Sequence, residues 1–514
     1  MTQRFEDKAT TPLAPGQKII ATALIMMSTM TVVLDQTIAN VALPHMQAAL
    51  GATPDSISWV LTSYILATAI ATPITGWLAG RVGRVRLYGI AVIGFTVSSA
   101  LCGLAVSLPM MVAARVVQGF MGAFLIPLSQ AFIYDMNPPS QQVRAITIWG
   151  MGVLVAPVAG PVLGGFLTDA FDWRWVFFIN VPIGIVAALG IFAVMPNFTS
   201  VQRAFDHVGF VIIVLALCGL QLALDRGTQQ DWLNSPEIIV EFGISAAAFW
   251  MFFFHLRRHP NPIIPVQLFH NRNFIGAMAL ALIVMPQVMA GAVLLPPLVQ
   301  VLLGYPVFNA GLLMIPRGIA MVVGMIAGGR LMQRLDGRLV IALGMVMIII
   351  SLWMQTRFNL AMDDHLIIWS GAVQGLGVGL SLTTINYLAV ATLPPALRTD
   401  GAAAYTLTRS IGSSIFIALM TSMLARNIQI NHAEVGAAMR DASMPFLMSA
   451  MYGGSYAIGR LAAMANVEVT RQATMIAYID DFWMMMWMVI LAMPILLLIK
   501  PVRPPKGEPM EIVE

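Results

Sequence analysis

Four charged residues stand out inside long apolar runs of this sequence, namely Asp35, Arg115, Arg317 and Arg409. A charge in the interior of a bilayer costs about 3 kcal/mol or more, so such residues commonly mark ion or substrate routes. Asp35 stands near the end of one run and Arg115 near the start of another, so we expect them at similar depth. Pairing would stabilise the carboxylate and burial would favour the neutral acid, a balance that suits loading and release of a proton. The pair is therefore predicted to couple transport to protons, with a permanent structural ion pair as the alternative.

The two other arginines, Arg317 and Arg409, have no obvious acid in the same runs. Each can donate to backbone carbonyls or extend toward the membrane surface. Because three embedded arginines face one embedded aspartate, the sequence favours a cavity for neutral or weakly acidic hydrophobic molecules over dications. Polar or adaptable side chains in these runs are predicted to line the cavity, although each could equally serve helix packing. Besides the two arginines they are Gln36, Thr37, Asn40, Gln118, Met151, Gln287, Asn386, Tyr387 and Tyr405.

The elements that hold these residues are apolar stretches of about twenty residues, long enough to cross a bilayer core of ~30 Å. Of the 514 residues, 58% are hydrophobic and 10% are charged. Soluble domains carry about a quarter charged residues. The sequence therefore predicts an all-α polytopic membrane protein with fourteen transmembrane helices. The predicted spans are 19–41, 56–79, 87–107, 109–134, 143–169, 174–195, 208–225, 236–256, 274–300, 306–330, 339–357, 366–391, 402–425 and 480–499.

An even number of spans places both termini on the same side of the membrane. Lys and Arg are concentrated in the segments on that side, which the positive-inside rule assigns to the cytoplasm. The longest segment on the other side is 426–479. Because part of it is apolar, we expect a helical excursion that lies on the bilayer or packs on the bundle. A partner-binding surface is the alternative.

Two loops resemble each other. Gly76–Arg86 joins helices 2 and 3, and Gly329–Arg338 joins helices 10 and 11. Internal repeats of this kind are typical of transporters built from two related halves, although any tight cytoplasmic turn can collect Gly and Arg. The matching positions favour a repeat once helices 7 and 8 are set aside. The predicted organisation is a cytoplasmic segment 1–18, a six-helix bundle 19–200, two linker helices 201–260, a second six-helix bundle 261–499 and a cytoplasmic tail 500–514.

Helix 5 carries glycines and prolines at close spacing. Small residues let helices approach closely, and prolines free backbone carbonyls and bend a transmembrane helix. We interpret this pattern as a hinge or seal between the halves, with ordinary packing as the alternative. Together with the loop between helices 2 and 3, the predicted conformational residues are Gly76, Arg81, Gly83, Arg84, Pro157, Gly160, Pro161, Gly164 and Gly165.

Six segments carry a family resemblance. They are Gly76–Arg86, Arg115–Gly122, Gly152–Gly165, Leu34–Pro44, Trp173–Gly184 and Phe205–Gly209. Through them the chain is identified as a member of the major facilitator superfamily, and the last three resemble its fourteen-helix drug:proton antiporter branch. One departure is Gly80, which replaces the acid usual in the loop between helices 2 and 3, so any ionic latch made there is absent or rebuilt.

The resemblance implies two six-helix bundles plus two central helices that work by alternating access. It implies a multidrug exporter of the bacterial inner membrane, driven by the proton gradient and without a cofactor. A periplasmic adaptor and an outer-membrane channel are the implied partners, besides protons, lipid and small hydrophobic substrates. An exporter of one physiological metabolite, such as a fatty acid or a siderophore, is the alternative. A nucleotide loop or a Cys/His cluster, which an enzyme would need, is not found in the sequence.

Two weaker signals lie at the ends of helices 7 and 8. Asp206 is expected to cap or anchor the start of helix 7. His255 and His259 have the spacing of metal ligands, but Arg257 and Arg258 stand between them. We therefore expect a solvated basic face and predict no metal site.

Overall fold

The computed structural model of the protein describes residues 14–196, 203–227, 229–450 and 455–501. Most of the predicted cytoplasmic segments 1–18 and 500–514 lie outside these ranges. Every regular element within them is a helix. Pieces separated by a short break share one label below. The helices are α1 (Pro15–Ala49), α2 (Trp59–Val82), α3 (Arg84–Gly103), α4 (Leu108–Asp135), α5 (Pro139–Ala170), α6 (Trp175–Val194), α7 (His207–Arg226), α8 (Pro236–Arg258), α9 (Arg272–Pro297), α10 (Val307–Met332), α11 (Gly337–Gln355), α12 (Asp364–Val390), α13 (Arg398–Ala450) and α14 (Ser455–Ala492).

Twelve helices in the described ranges are long and apolar enough to cross a membrane. A thirteenth is α5, if its two pieces form one span: it bends by 43° between Pro157 and Val162, where the sequence places two prolines. The remaining helix, α9, contains three prolines and divides into shorter apolar helices at Arg272–Gln287 and Val293–Leu302. The prediction of an all-helical membrane protein is therefore confirmed, while the predicted number of fourteen spans stays a prediction.

The predicted outer segment 426–479 is helical in its described parts, as expected, but it consists of continuations of α13 and α14 and not of separate helices. Helix α13 continues without a break to Ala450, and α14 begins at Ser455, so both extend well beyond the predicted span limits at residues 425 and 480. The two helices pack on each other, and Asn431 donates to Asp480 across this hairpin at 3.3 Å. Residues 451–454 lie outside the described part of the chain.

The N-terminal helices α1–α6 and the C-terminal helices α9–α14 meet mainly at one end of the bundle. We call it the arginine-rich end: α1 begins there, and Arg84, Arg203 and Arg398 lie there. The parts of α2 and α4 nearest this end contact the C-terminal helices. Helix α5 contacts α10 and α12, and α7 packs against both α2 and α13. The two sets of helices therefore close on each other at the arginine-rich end.

Candidate functional site

The centre of the N-terminal helices holds a buried ion pair. The Asp35 side chain on α1 is fully buried, and Arg115 Nη1 on α4 lies 2.5 Å from its Oδ2 atom. Its other oxygen, Oδ1, accepts from Gln118 Nε2 at 2.8 Å and from Asn180 Nδ2 on α6 at 3.1 Å. Three donors from two helices converge on one carboxylate, as a buried charge requires. The structure thus brings together Asp35, Arg115 and Gln118, which the sequence analysis had selected for coupling and for the cavity.

The Arg115 guanidinium is held on all sides. It donates through Nε to the Val60 carbonyl on α2 at 3.0 Å and through Nη1 to Gln118 at 2.9 Å. The guanidinium carbon lies 4.4 Å from the centre of the Tyr64 ring and 5.7 Å from that of Phe177, within cation–π range. Helices α1, α2, α4 and α6 are therefore tied together at this one ion pair, and a change in its charge acts on all four.

Two participants in this cluster were not selected from the sequence. Asn180 lies inside the Trp173–Gly184 motif, which served only as a family signature, although an Asn in an apolar run was a usable signal. Tyr64 carries a buried hydroxyl that has no hydrogen-bond partner among the described residues. The ring of Tyr64 lies over the Arg115 guanidinium, and its hydroxyl lies beside Gly122 on α4.

The glycines of α5 bring that helix against α1 immediately after Asp35. A Cβ atom on Gly160 would lie 2.1 Å from Thr37 Oγ1, and one on Gly164 would lie 3.2 Å from Ile38 Cγ2. At Gly165 a Cβ would meet nothing within 4 Å. Gly160 and Gly164 therefore allow one close contact, in which the bent helix α5 packs against the turn of α1 that follows the buried carboxylate. The Pro161 side chain lies outside the described residues.

Gly160→Ala is expected to lower the melting temperature and slow efflux, because the added methyl overlaps Thr37. Forcing extra atoms into a packed contact costs about 1–3 kcal/mol. Gly165→Ala is the matched control and should leave both properties unchanged. The double variant Gly160→Ala/Thr37→Ala should recover what Gly160→Ala loses. Equal effects of the two glycine substitutions would contradict this role.

The predicted cavity residues fall into two groups. In α1, Gln36 and Asn40 are exposed and Thr37 is half-buried, as is Met151 on α5. Buried side chains form the second group: Gln287, Asn386, Tyr387 and Tyr405. Gln287 lies on α9, while Asn386 and Tyr387 on α12 and Tyr405 on α13 lie around Tyr134, whose hydroxyl donates to the Asn386 carbonyl at 2.9 Å.

Several of the buried polar groups have no partner among the described residues. They include both amide atoms of Gln287, the Asn386 Oδ1 atom and the Tyr405 hydroxyl. Such groups are costly unless a ligand, water or movement satisfies them. The lack of a partner distinguishes these polar groups from groups that form ordinary interhelical hydrogen bonds.

The two other predicted arginines also lie among the C-terminal helices. Arg317 is half-buried on α10; it donates through Nη2 to the Gln287 carbonyl at 3.1 Å and lies against Gly291 on α9. Arg409 is half-buried on α13, one turn after Tyr405, and has no ion-pair partner among the described side chains. Arg317 thus donates to a backbone carbonyl, which is one of the two arrangements predicted from the sequence.

The count of one embedded acid was wrong. Asp481 on α14 is 0% exposed, and Asp400 in the first turn of α13 is also buried. Asp481 stands at the predicted start of the last span, where a charge would normally meet water. Since α14 begins much earlier at Ser455, this position lies within the packed helix instead. Neither acid approaches Arg317 or Arg409 closely enough to form an ion pair.

An ionic network closes the arginine-rich end. Asp135 at the end of α4 pairs with Arg84 at 2.6 Å and with Arg398, at the start of α13, at 2.8 Å. Both carboxylate oxygens of Asp400 accept hydrogen bonds from Arg203 Nη2, at 2.6 and 2.8 Å. Asp135–Arg398 joins the N-terminal helices to the C-terminal helices. Of the residues in this network, only Arg84 was predicted from the sequence as a functional residue.

The segment Gly76–Arg86, which joins α2 to α3, contains two glycines, Gly76 and Gly83, that support the ionic network. Gly76 makes room for Asp400, whose Oδ1 would lie 1.8 Å from a Cβ atom there. Gly83 has φ = 95°, a conformation that favours glycine, and forms the turn into α3. Arg81 is exposed and stacks over Trp77 at 5.8 Å. With Gly80 in place of the usual acid, the carboxylates of this latch come from Asp135 and Asp400.

Asp206 caps α7, as predicted: its Oδ1 accepts from the Gly209 N–H at 2.8 Å. His255 Nε2 lies 2.8 Å from Oδ2, and the Ile263 N–H donates to the same oxygen at 3.2 Å. His259 stacks on His255, and the three side chains have ligand atoms within 4.8 Å of one another. The expected solvated face was therefore wrong for His255, which bonds a buried carboxylate. Burial raises the pKa of Asp206, but the two N–H donors and His255 outweigh it and hold the pKa below its usual value.

Asp206→Asn keeps a residue that can cap α7 but removes the negative charge that pairs with His255 and accepts from the Ile263 N–H, so it is expected to destabilise the junction of α7, α8 and the following segment by about 1 kcal/mol. A lowered folded-state pKa means that this stability is present above the unfolded pKa of about 4 and is lost as the pH falls through the folded value. The difference in melting temperature from wild type should therefore be full at neutral pH and vanish in acid. Asp231→Asn, in the exposed turn at the other end of the hairpin, is the control. A pH-independent difference would contradict the role of the charge.

The protein is a helical, multi-pass membrane protein with a buried ion pair, and its two sets of helices close on each other at one end. This is the architecture of a transporter. Residues 25–417 match the Major Facilitator Superfamily, and the chain belongs to this family. It is 34% identical to the multidrug export protein EmrB of Escherichia coli (strain K12) over 483 residues, which cover 92% of this chain and 93% of that protein. It is 32% identical to the fatty acid resistance protein FarB of Neisseria gonorrhoeae over 475 residues, or 91% and 93%.

Solved structures agree with this fold. The proton:xylose symporter XylE superposes with a TM-score of 0.61 at 11% identity, covering 93% of this chain and 94% of that one. The human organic anion transporter MFSD10 gives 0.58 at 11% identity, with 93% and 100% coverage. The predictions of a non-enzymatic transporter and of an efflux protein of this superfamily are confirmed.

Proposed function

We propose that the protein is a proton-coupled antiporter that exports hydrophobic compounds from the cytoplasm or the inner leaflet by alternating access. The observation that carries the proposal is the fully buried Asp35–Arg115 pair, which joins four helices. Intramembrane acids commonly serve proton relays. When Asp35 takes up a proton, Arg115 loses its counter-charge, so the ties among α1, α2, α4 and α6 must rearrange. The energy for transport then comes from the proton gradient, and no cofactor is required.

The proposed topology has fourteen membrane crossings, with α9 and the bent α5 included. The arginine-rich end faces the cytoplasm of a bacterium, and both termini lie on that side, in keeping with the positive-inside rule. The bundles 19–200 and 261–499 rock against each other around the linker helices 201–260. Since the two sets of helices close at the arginine-rich end, the described conformation is closed toward the cytoplasm in this topology.

The proposed substrates are neutral or weakly acidic hydrophobic molecules. Half-buried Arg317 and Arg409, close to the unsatisfied polar groups of Gln287 and Tyr405, favour a substrate with one carboxylate over a dication. The name of the FarB relative, a fatty acid resistance protein, supports the second candidate, an exporter of one lipophilic acid. The two candidates share the same site and differ in how many compounds it accepts.

Arg317→Gln is expected to reduce the efflux of lipophilic acids at least about tenfold and to affect neutral compounds little. A tenfold reduction corresponds to a loss of about 1.4 kcal/mol of interaction with the carboxylate. Glutamine keeps hydrogen-bonding capacity but removes the charge. The measurement is efflux of a fatty acid and of a neutral dye from the same cells. Arg357→Gln is the control, since Arg357 is exposed and stacks on Trp353 at 4.9 Å. Equal losses for acid and neutral compounds would contradict the proposed charge selectivity.

We also propose that the α13–α14 hairpin extends from the outer face and meets a periplasmic adaptor (EmrA-like) that leads to an outer-membrane channel (TolC-like). The support is the similarity to an EmrB protein and the length of the two helices beyond the predicted membrane limits. Deletion of residues 439–462 should then abolish cross-linking to a co-expressed adaptor while transport in reconstituted vesicles continues.

The function is tested in vesicles that contain only the purified protein. A pH gradient, imposed with no other energy source, should drive accumulation of a lipophilic acid, and a protonophore should abolish it. A panel of acidic, neutral and dicationic compounds decides between a multidrug exporter and an exporter of one metabolite. Transport that continues with the gradient collapsed would contradict antiport.

A further inference from the structure

Asp481 differs from every other buried acid in the described part of the chain. Its side chain is 0% exposed, and neither carboxylate oxygen has a hydrogen-bond partner there. Asp35, in contrast, receives three donors, and Asp400 receives Arg203. An ionised carboxylate buried without a cation or a donor costs several kcal/mol, so this arrangement accommodates the neutral acid.

Aromatic residues stand beside Asp481 along α14. Phe482 contacts the Phe358 ring at 5.8 Å, and Tyr478 stacks on Phe482 at 6.5 Å. Helix α14 packs against α9, α11 and α13. Asp480, the neighbouring acid, is half-buried and accepts from Asn431 on α13. Asp481 therefore lies just inside the outer end of the C-terminal helices, next to a position that still meets polar groups.

The charged groups on the packed helices are engaged elsewhere or distant. Arg272 on α9 and Arg338 on α11 lie at the arginine-rich end, and Arg357, after α11, stacks on Trp353. On α13, Arg398 and Asp400 form the latch and His432 bonds Asn466. Among the α13 residues whose side chains are described, the other charged or titratable groups are Tyr405, Arg409, Arg426 and Glu434. None of these groups forms an ion pair or hydrogen bond with Asp481 within the described side chains.

We propose that Asp481 is a second proton-binding site, separate from the Asp35 cluster and occupied in the conformation described here. This inference rests on the proposed function for its role in coupling. The proton enters from the outer side, along the position of Asp480, and binds a carboxylate oxygen of Asp481. It leaves when α14 separates from α11 and α13 and water or a cation reaches the carboxylate. The two sites lie in different sets of helices, so each set carries one acid that senses the conformational cycle.

The test starts with infrared spectroscopy of the purified full-length protein in lipid nanodiscs. A protonated carboxyl has a carbonyl stretch that an ionised carboxylate lacks, and it shifts in deuterated water. We expect this band to be present in wild type, lost in Asp481→Asn and retained in Asp480→Asn. The side chain of asparagine has nearly the shape of aspartic acid, so the fold is preserved. Identical carboxyl bands in wild type and Asp481→Asn would overturn the proposal.

The second readout is the number of protons released for each substrate molecule in vesicles. We expect a loss in Asp481→Asn relative to wild type, no change in Asp480→Asn and recovery in Asp481→Glu. An unchanged proton number in Asp481→Asn would overturn the coupling role. If wild type releases no protons at all, the proposed antiport fails, and the infrared comparison alone still decides whether Asp481 holds a proton.

Discussion

Asp35→Asn is expected to abolish gradient-driven efflux while the protein stays in the membrane. Asparagine cannot bind or release a proton, so the carboxylate that Arg115 pairs with at 2.5 Å loses its function in coupling. The substitution also leaves Arg115 buried without a counter-charge, which destabilises a protein by about 3–5 kcal/mol. The measurement is substrate transport in inverted vesicles at matched protein levels. Full activity of Asp35→Asn would contradict the coupling role.

A double variant separates coupling from folding. Asp35→Asn/Arg115→Gln removes both charges at once and keeps polar groups that can bond Gln118 and Asn180. It should therefore be more stable than Asp35→Asn, because no charge remains buried and unpaired. It should still fail to couple, since no titratable carboxylate remains in this cluster. Asp172→Asn, half-exposed beside Arg174, is the control for the loss of one negative charge.

Asp135→Asn is expected to open the arginine-rich end. One carboxylate holds both Arg84 and Arg398, so its neutralisation removes the ion pairs of two partly buried arginines at once. Since every 1.4 kcal/mol is tenfold, we expect the equilibrium to shift at least about tenfold toward the conformation open at this end. Substrate should then be bound from that side but exported more slowly, because the closed state is harder to reach.

The shift is measured by thiol labelling. Thr147, buried on α5 beside Gly329 of α10, becomes the reporter Thr147→Cys in a background without Cys102 and Cys218. Its labelling from the arginine-rich side should accelerate in Asp135→Asn. Glu237→Gln, which removes an ion pair with Arg226 at the opposite end, should leave the rate unchanged. Equal rates in Asp135→Asn and wild type would contradict a latch.

The ion pair at the centre of the site could be foreseen because charges in apolar runs are rare and costly. Its remaining partners could not: which face of α6 presents Asn180, and which carbonyl Arg115 meets, depend on helix rotation that the sequence does not encode locally. The contact of Gly160 with Thr37 has the same origin. A glycine pattern indicates a close approach, and only packing decides which helix approaches.

The acids that were not predicted as buried or paired share a different cause. Asp135, Asp400 and Asp481 stand at or near the predicted ends of spans, where acids normally meet water. The structure buries Asp400 and Asp481 because helices continue past the predicted limits or meet across the two sets of helices. The continuous helices α13 and α14 were missed for a related reason: a chain that leaves the membrane need not end its helix there. Hydropathy marks the bilayer limits and does not mark the helix ends.

The central claim, that substrate export is exchanged for protons at Asp35, is tested most directly by proton release. Substrate is added to proteoliposomes loaded with a pH-sensitive dye, in the absence of an imposed gradient. Wild type should move protons in the direction opposite to the substrate and in a fixed ratio to it. Asp35→Asn/Arg115→Gln should bind substrate and move no protons. Proton movement of wild-type size in that double variant, or substrate transport by wild type with no proton movement, would contradict the claim.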